Sequence, residues 1–251
     1  MKSTSKKLLL ALYSPKENPN LVPITTWSLL VPEITAPGFR SVLHLLTKEG
    51  LIIIEKTDLG PCVKLGLHGK HIVESLFPAL QPHWLTWQGE WSCMLFLQPP
   101  KSDPNFRYLR RLLIEHTAIS LSRGAYLYPG EFPSRVLQES KLLYGNAIVI
   151  FKIASWEVGD QQLLLDRLIG LQTLKNGYSG VSRDVRTLIE NCKNKKELTG
   201  KQKEQIALIY DRFYFLFNED VGLAASSVSQ EESPIAILSK WRELLILIGQ
   251  K

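Results

Sequence analysis

Between Trp91 and Ile153 the apolar residues switch back and forth between strand spacing and helix spacing, and few folds accommodate that succession. Trp91–Leu97 is a short apolar run closed by Pro99-Pro100, as a strand is closed. Asp103-Pro104 then opens a helix, with the acid as N-cap and proline at the first helical position, where its missing N–H removes no bond. Phe106, Leu109, Leu112 and Leu113 recur as one buried helix face. Ala118–Ser122 and Ala125–Tyr128 flank Arg123-Gly124 as a hairpin. Phe132–Leu143 reads as a second helix with Val136, Leu137 and Leu143 inward, stopped at Gly145, and Ala147–Ile153 as a continuous apolar strand. Strand, helix, strand, strand, helix, strand is the ferredoxin-like βαββαβ order, expected over residues 84–155.

The first 80 residues read differently. Ser5–Tyr13 is a short apolar helix ended by Pro15 and the loop Asn18-Pro19-Asn20. Thr25 or Thr26 can cap a second short helix through Leu30, ended by Pro32. After Thr35-Ala36-Pro37, Phe39, Val42, Leu43 and Leu46 mark a third helix, and Gly50 supplies its stop. Leu51–Glu55, a turn at Asp58-Leu59-Gly60 and Cys62–Leu67 make a hairpin. Three helices and a hairpin are the order of a winged helix-turn-helix, and equally of a small α/β domain with no DNA role. Pro78, Gln81, Pro82 and His83 suggest a linker to the next domain.

Residues 156–251 read as a mainly helical C-terminal domain. Asp160–Leu174 carries Leu163, Leu164, Leu168 and Leu171; Gly200–Phe217 carries Ile206, Ile209, Tyr210, Phe213 and Phe217; Ser233-Pro234 opens a last helix through Ile248. Asn191–Lys203 and Asn218–Glu232 are polar stretches expected to be soft. The fold class expected is therefore α+β in three modules: winged helix-turn-helix, ferredoxin-like domain, helical tail.

Composition narrows the function classes. Cys62, Cys93 and Cys192 are few, odd in number and widely spaced, so neither a disulfide framework nor a Cys-x-x-Cys metal clamp is expected. Apolar runs such as Leu8–Leu12 and Leu244–Ile248 fall far short of the roughly 20 residues that cross a bilayer. Lys2, Lys6 and Lys7 imitate the start of a signal peptide, but the apolar run after them ends within five residues. A cytoplasmic protein without a membrane partner is expected. The net charge of +6 divides as +3 over residues 1–82, +3 over 83–155 and zero over 156–251, a bias that suits a polyanion partner.

The third helix carries the candidate site. With its apolar residues inward, Pro37, Ser41, His44 and Lys48 form the opposite stripe, with Arg40 beside it. Arg can pair with guanine, Ser or His can meet base edges and Lys can neutralise phosphate, so this stripe suits a helix in the major groove of double-stranded DNA. Lys56 and Lys64 on the hairpin are placed as backbone contacts. Arg107, Arg110 and Arg111 share one flank of the Asp103–His116 helix and form a candidate contact for an anion or effector. No phosphate-loop, dinucleotide or nucleophile-elbow motif occurs, and His68 and His71 have Lys70 between them and no nearby acid. A non-enzyme with no cofactor is expected.

The stretch Phe39-Arg40-Ser41-Val42-Leu43-His44-Leu45-Leu46-Thr47-Lys48-Glu49-Gly50 resembles the Val-Arg-x-x-Leu-x-Arg-Leu-x-x-x-Gly of the PaaX-type bacterial repressors, named for phenylacetate catabolism, with Leu45 replacing the second arginine. The family's wing motif, Tyr-x-Leu-Thr-x-x-Gly, keeps only Leu65 and Gly69. Trp87-Gln88-Gly89-Glu90-Trp91 and Gly124-Ala125-Tyr126-Leu127-Tyr128-Pro129 resemble the family's Trp-Asp-Gly-x-Trp and Gly-x-Trp-x-x-Pro. The resemblance covers residues 5–155. It implies a transcriptional repressor acting as a homodimer through the ferredoxin-like domain and released by an acyl-CoA-type effector. That domain is also similar to the metal-dependent nuclease of CRISPR adaptation, but Leu97 stands where that nuclease has its acid. A nuclease and a non-DNA-binding interaction adaptor are the alternative readings.

Overall fold

The computed structural model describes residues 1–15, 21–58, 60–81, 87, 89–193 and 197–250. The fold is mixed α and β, with two small antiparallel sheets and a helix-rich C-terminal region. It divides into two compact units: residues 1–81 with 174–251, and residues 82–173.

In the first unit, α1 (Ser3–Leu12) is buried all round from Leu8 to Leu12. A helix apolar on every side belongs in the middle of a core, and two polar bonds hold this one there. Trp27 Nε1 donates to the Leu8 carbonyl at 2.9 Å, and the Tyr210 hydroxyl donates to the Lys7 carbonyl at 2.8 Å. The Lys7 ammonium, itself buried, pairs with Asp211. After β1 (Val22–Pro23) come α2 (Ile24–Trp27), which runs into a 3-10 turn to Leu30, and α3 (Ala36–Lys48). The hairpin strands β2 (Ile52–Thr57) and β3 (Gly60–Leu65) join β1 in a sheet ordered β1-β3-β2, with Val22 opposite Val63. Leu59, part of the expected turn, and the loop residues Asn18, Pro19 and Asn20 lie outside the described residues.

α4 (Leu67–Leu76) has no counterpart in the sequence expectation. It follows β3 directly, and Gly66 and Gly69 let it approach the end of α3: a Cβ on Gly69 would stand 1.9 Å from the Leu51 carbonyl oxygen. The expected linker also differs. Ala79 and Leu80 are buried in a short 3-10 turn of the same core, while Pro82 and His83 lie outside the described residues.

The C-terminal helices do not form a core of their own. α8 (Leu171–Lys193) buries Leu174, Tyr178, Val181, Val185 and Leu188, a stripe at alternating three- and four-residue steps. α9 (Gly200–Glu219), opened by a reciprocal Thr199–Gln202 capping box, and α11 (Pro234–Gly249) complete a core that includes Leu8, Trp27, Phe39 and Val63 from the N-terminal segment. The division expected at residues 80 and 155 is thus replaced by one in which the tail and the first 81 residues share a single core. Part of Asn218–Glu232 belongs to this core as well. Asp220 is buried and accepts from Tyr178 Oη at 3.1 Å and from the Gly222 N–H at 2.8 Å, and Leu223 and Ala224 of α10 (Leu223–Ser227) are buried.

The second unit carries strands β4 (Trp91–Phe96), β5 (Ile119–Ser122), β6 (Ala125–Pro129) and β7 (Ile148–Ile153), ordered β5-β6-β4-β7 and antiparallel throughout. α5 (Pro104–Glu115), capped by Asp103, and α6 (Ser134–Tyr144) pack Leu109, Leu113 and Val136 against Met94, Phe96 and Tyr126. Two expectations fail locally. Leu137 is exposed, and the inward place on α6 goes to Ser140, whose hydroxyl donates to Met94 Sδ at 3.7 Å. The Asp160–Leu174 helix breaks at Gly170, which takes φ 64° between α7 (Gln161–Ile169) and α8. None of the described helices is long and apolar enough to cross a membrane.

Candidate nucleic-acid interface

The local sequence holds α3 firmly at both ends. The Thr35 hydroxyl accepts from the Gly38 N–H at 3.3 Å, and Pro37 sits in the first turn without forfeiting a bond. At the other end Gly50, at φ 68°, directs its N–H to the Thr47 carbonyl, and Leu51 reaches back to Leu46. Phe39 is anchored edge-on against Trp27 at 5.7 Å, and Leu46 is fully buried.

With that face fixed, Pro37, Arg40, Ser41, His44 and Lys48 are all exposed, on one side of one helix. Neither Arg40, His44 nor Lys48 has an ion-pair partner among the described residues. Ser41 donates its hydroxyl proton to the Pro37 carbonyl at 3.1 Å, which leaves its oxygen as an acceptor. The hairpin lysines differ from each other. Lys56 is exposed, whereas Lys64 Nζ lies 2.7 Å from Glu55 Oε1 on the neighbouring strand and is only 30% exposed. Lys56 is therefore available to an external anion and Lys64 is held back.

Sequence reasoning missed a groove on the next flank of α3. It has a volume of about 1040 Å³ and is walled by Ile34, Gly38, Val42, Leu45, Leu51 and Ile72. Ser41 belongs to both the groove and the exposed polar stripe. The signal was present as Leu45, which breaks the polar face of α3 and is 47% exposed.

The three arginines of α5 are exposed but locally engaged. Arg111 Nε lies 3.7 Å from Glu115 Oε1, and its guanidinium stands 6.0 Å from the Tyr108 ring centre. Arg107 lies beside Asp103, whose carboxyl is held below its usual range mainly by a hydrogen bond from Tyr144. The Tyr126 phenol is pushed up by burial and partly drawn back by Arg110. These residues belong to the second unit, whereas the α3 stripe belongs to the first.

Leu97 follows β4, is 58% exposed and donates its N–H to the Ala147 carbonyl at 2.9 Å. Among the described residues no group of three or more His, Cys, Asp or Glu is disposed to hold a metal ion. Contrary to the expectation that no acid lies near the histidine pair, Glu74 Oε2 stands 3.7 Å from His71 Nδ1, one helical turn away on α4. Cys93 is a buried thiol whose pKa is raised by desolvation, so it is a poor nucleophile at neutral pH.

No protein-family model and no curated protein matches this sequence. Among solved structures, the uncharacterized protein Rv0674 from Mycobacterium tuberculosis is similar at 14% identity and a TM-score of 0.48, over 99% of this chain and 95% of that one.

Proposed function

We propose that this chain is a DNA-binding transcriptional regulator, a cytoplasmic repressor that acts as a homodimer and is released by an acyl-CoA-type effector. The observation that carries the reading is the α3 stripe. Pro37, Arg40, Ser41, His44 and Lys48 share the exposed side of a helix that is capped at both ends and followed at once by a hairpin bearing the exposed Lys56. In this reading residues 1–80 carry a winged helix-turn-helix, with α3 in the major groove and β2-β3 as the wing. The second unit is a ferredoxin-like domain, a label that its strand order β5-β6-β4-β7 suits. The apolar groove beside α3 offers an effector direct access to the helix that reads DNA, because Ser41 borders both.

Selecting bound sequences from random duplexes, then measuring binding of the full chain to the winners, tests the proposal. Arg40→Ala is expected to cost about 1–3 kcal/mol and relax preference at one base pair, whereas Lys48→Ala weakens all sequences alike and lowers the salt slope by about 1. A chain with no duplex affinity at 50 mM salt, or variants that bind like wild type, would overturn the reading and favour an interaction adaptor. Addition of acyl-CoA compounds to the complex tests release separately.

A further inference from the structure

The four-stranded sheet has two outer strands, and they are built differently. β5 is four residues long, has a register break between Ser120 and Ser122, and is packed by α7. Short length, an irregularity and a cover are the means by which sheets protect their edges from further pairing. Among the described residues β7 has none of them. Its six residues, Ile-Val-Ile-Phe-Lys-Ile, stay in regular register with β4 from Ile148 opposite Phe96 to Ile153 opposite Trp91. Among the described residues β7 pairs with β4 alone. Its one charge, Lys152, is drawn to Glu131 at 2.7 Å, and Val149, Ile150 and Phe151 remain 43%, 38% and 44% exposed.

Pairing with β4 also fixes which backbone groups of β7 are free. The Leu97 N–H donates to the Ala147 carbonyl, while the Phe96 N–H turns the other way to the Gly124 carbonyl at 2.7 Å. The antiparallel alternation then turns the N–H and C=O of Val149 and Phe151 toward β4, and those of Ile148, Ile150 and Lys152 outward. Among the described residues, an apolar strand thus presents a row of donors and acceptors without partners.

We propose that β7 pairs antiparallel with β7 of a second copy of this chain, about a twofold axis at Ile150, to form one eight-stranded sheet. The inference deepens the homodimer of the proposed regulator by naming its surface. A second copy is the fitting partner because the strand is complementary to itself in this register. Ile150 meets its own counterpart and exchanges both backbone bonds with it, and Ile148 does the same with Lys152 of the other copy. Val149 faces Phe151 twice, a β-branched against aromatic pair of the kind that stabilises sheets. No like charges are opposed, and Lys152 keeps its bond to Glu131. The contact is isologous and closes at two subunits. Leu95, opposite Val149 on β4 and 38% exposed, extends the apolar patch inward from the edge.

The outward position of its N–H makes Ile150→Pro a selective probe, since proline there removes a bond to the partner and none to β4. Sedimentation velocity of the full chain from 1 to 100 µM is expected to show a dimer for wild type and a dissociation constant at least 100-fold weaker for Ile150→Pro, with unchanged far-ultraviolet dichroism. Val149→Lys, which leaves the backbone alone, is expected to do the same and decides the matter if the proline variant fails to fold. Amide exchange of wild type supplies a readout without mutation, in which Ile148, Ile150 and Lys152 are protected at high concentration and exchange freely on dilution. A dimer unaffected by either variant, or with those amides unprotected, overturns this interface while leaving the dimeric regulator standing. A monomer at 100 µM overturns both the interface and the dimer, and a dimer built on β7 that binds no DNA upholds the interface while the regulator reading fails.

Discussion

Neutralising Glu55 should strengthen DNA binding, an outcome that a merely solvated hairpin would not produce. Lys64 Nζ is 2.7 Å from Glu55 Oε1, so the hairpin proposed as the wing presents one of its two lysines already paired. Glu55→Gln keeps the side-chain shape, removes the competing carboxylate and releases Lys64 toward a phosphate. One added phosphate contact steepens the salt dependence of log K by about 0.9, which at 0.15 M salt amounts to about fivefold tighter binding, or ~1 kcal/mol. The same slope makes the advantage shrink by about 3.5-fold between 50 and 200 mM salt. The cost to folding is small, because exposed ion pairs are worth about 0–1 kcal/mol and Glu55 is 42% exposed. Fluorescence anisotropy with a selected duplex across that salt range, together with urea unfolding, measures both effects. Equal affinity and equal slope for variant and wild type, with the fold intact, would refute the placement of the hairpin against the DNA backbone.

Two further perturbations test the fold that supports the site. Gly69→Ala forces a Cβ to within 1.9 Å of the Leu51 carbonyl oxygen, and that carbonyl is held by the Gly66 N–H at 3.0 Å, so α4 must move; a loss of about 2–4 kcal/mol in urea unfolding is expected. Asp220 is buried, and desolvation raises its carboxyl pKa despite bonds from Gly222, Ala224 and Tyr178. The folded state therefore holds this proton more tightly than the unfolded chain. Its contribution is greatest at acid pH and is lost as pH rises from the ordinary carboxylate value through the raised one. Asp220→Asn should flatten that part of the stability profile, as read from melting temperatures between pH 4 and 8.

What the sequence disclosed follows from how local each signal is. Thr35, Pro37 and Gly50 act within a turn of α3, and the spacing of Phe39 and Leu46 gives its inner face, so the helix and its exposed stripe were legible. α4 was not, because Gly66 at its N-cap position supplies no side-chain bond and its first turn carries Gly69. Gly69 weakens helix propensity, and only the closeness of Leu51 explains its presence. The Ala147–Ile153 run was legible as a strand, but an apolar run reads alike for a central strand and an exposed edge. Asp220 falls in a polar stretch expected to be soft; its bond to Tyr178, 42 positions earlier, appears only in the fold. The pairing of Lys64 with Glu55 likewise appears only once β2 and β3 are in register.

The core that joins the first 81 residues to the last 78 also dictates an order of assembly. A ribosome releases the second unit whole while the first still lacks α9 and α11, so α1 waits for Tyr210, 203 residues downstream, before its Lys7 carbonyl is bonded. Contacts so distant in sequence form late and slowly. A nascent chain therefore carries its complete α3 stripe well before that stripe rests on a finished core. A stop codon after residue 156 would preserve every proposed DNA contact and remove the helices that pack against Leu8 and Trp27. If α3 reads DNA as proposed, the helix can rest on its complete core only after α9 and α11 have been synthesised.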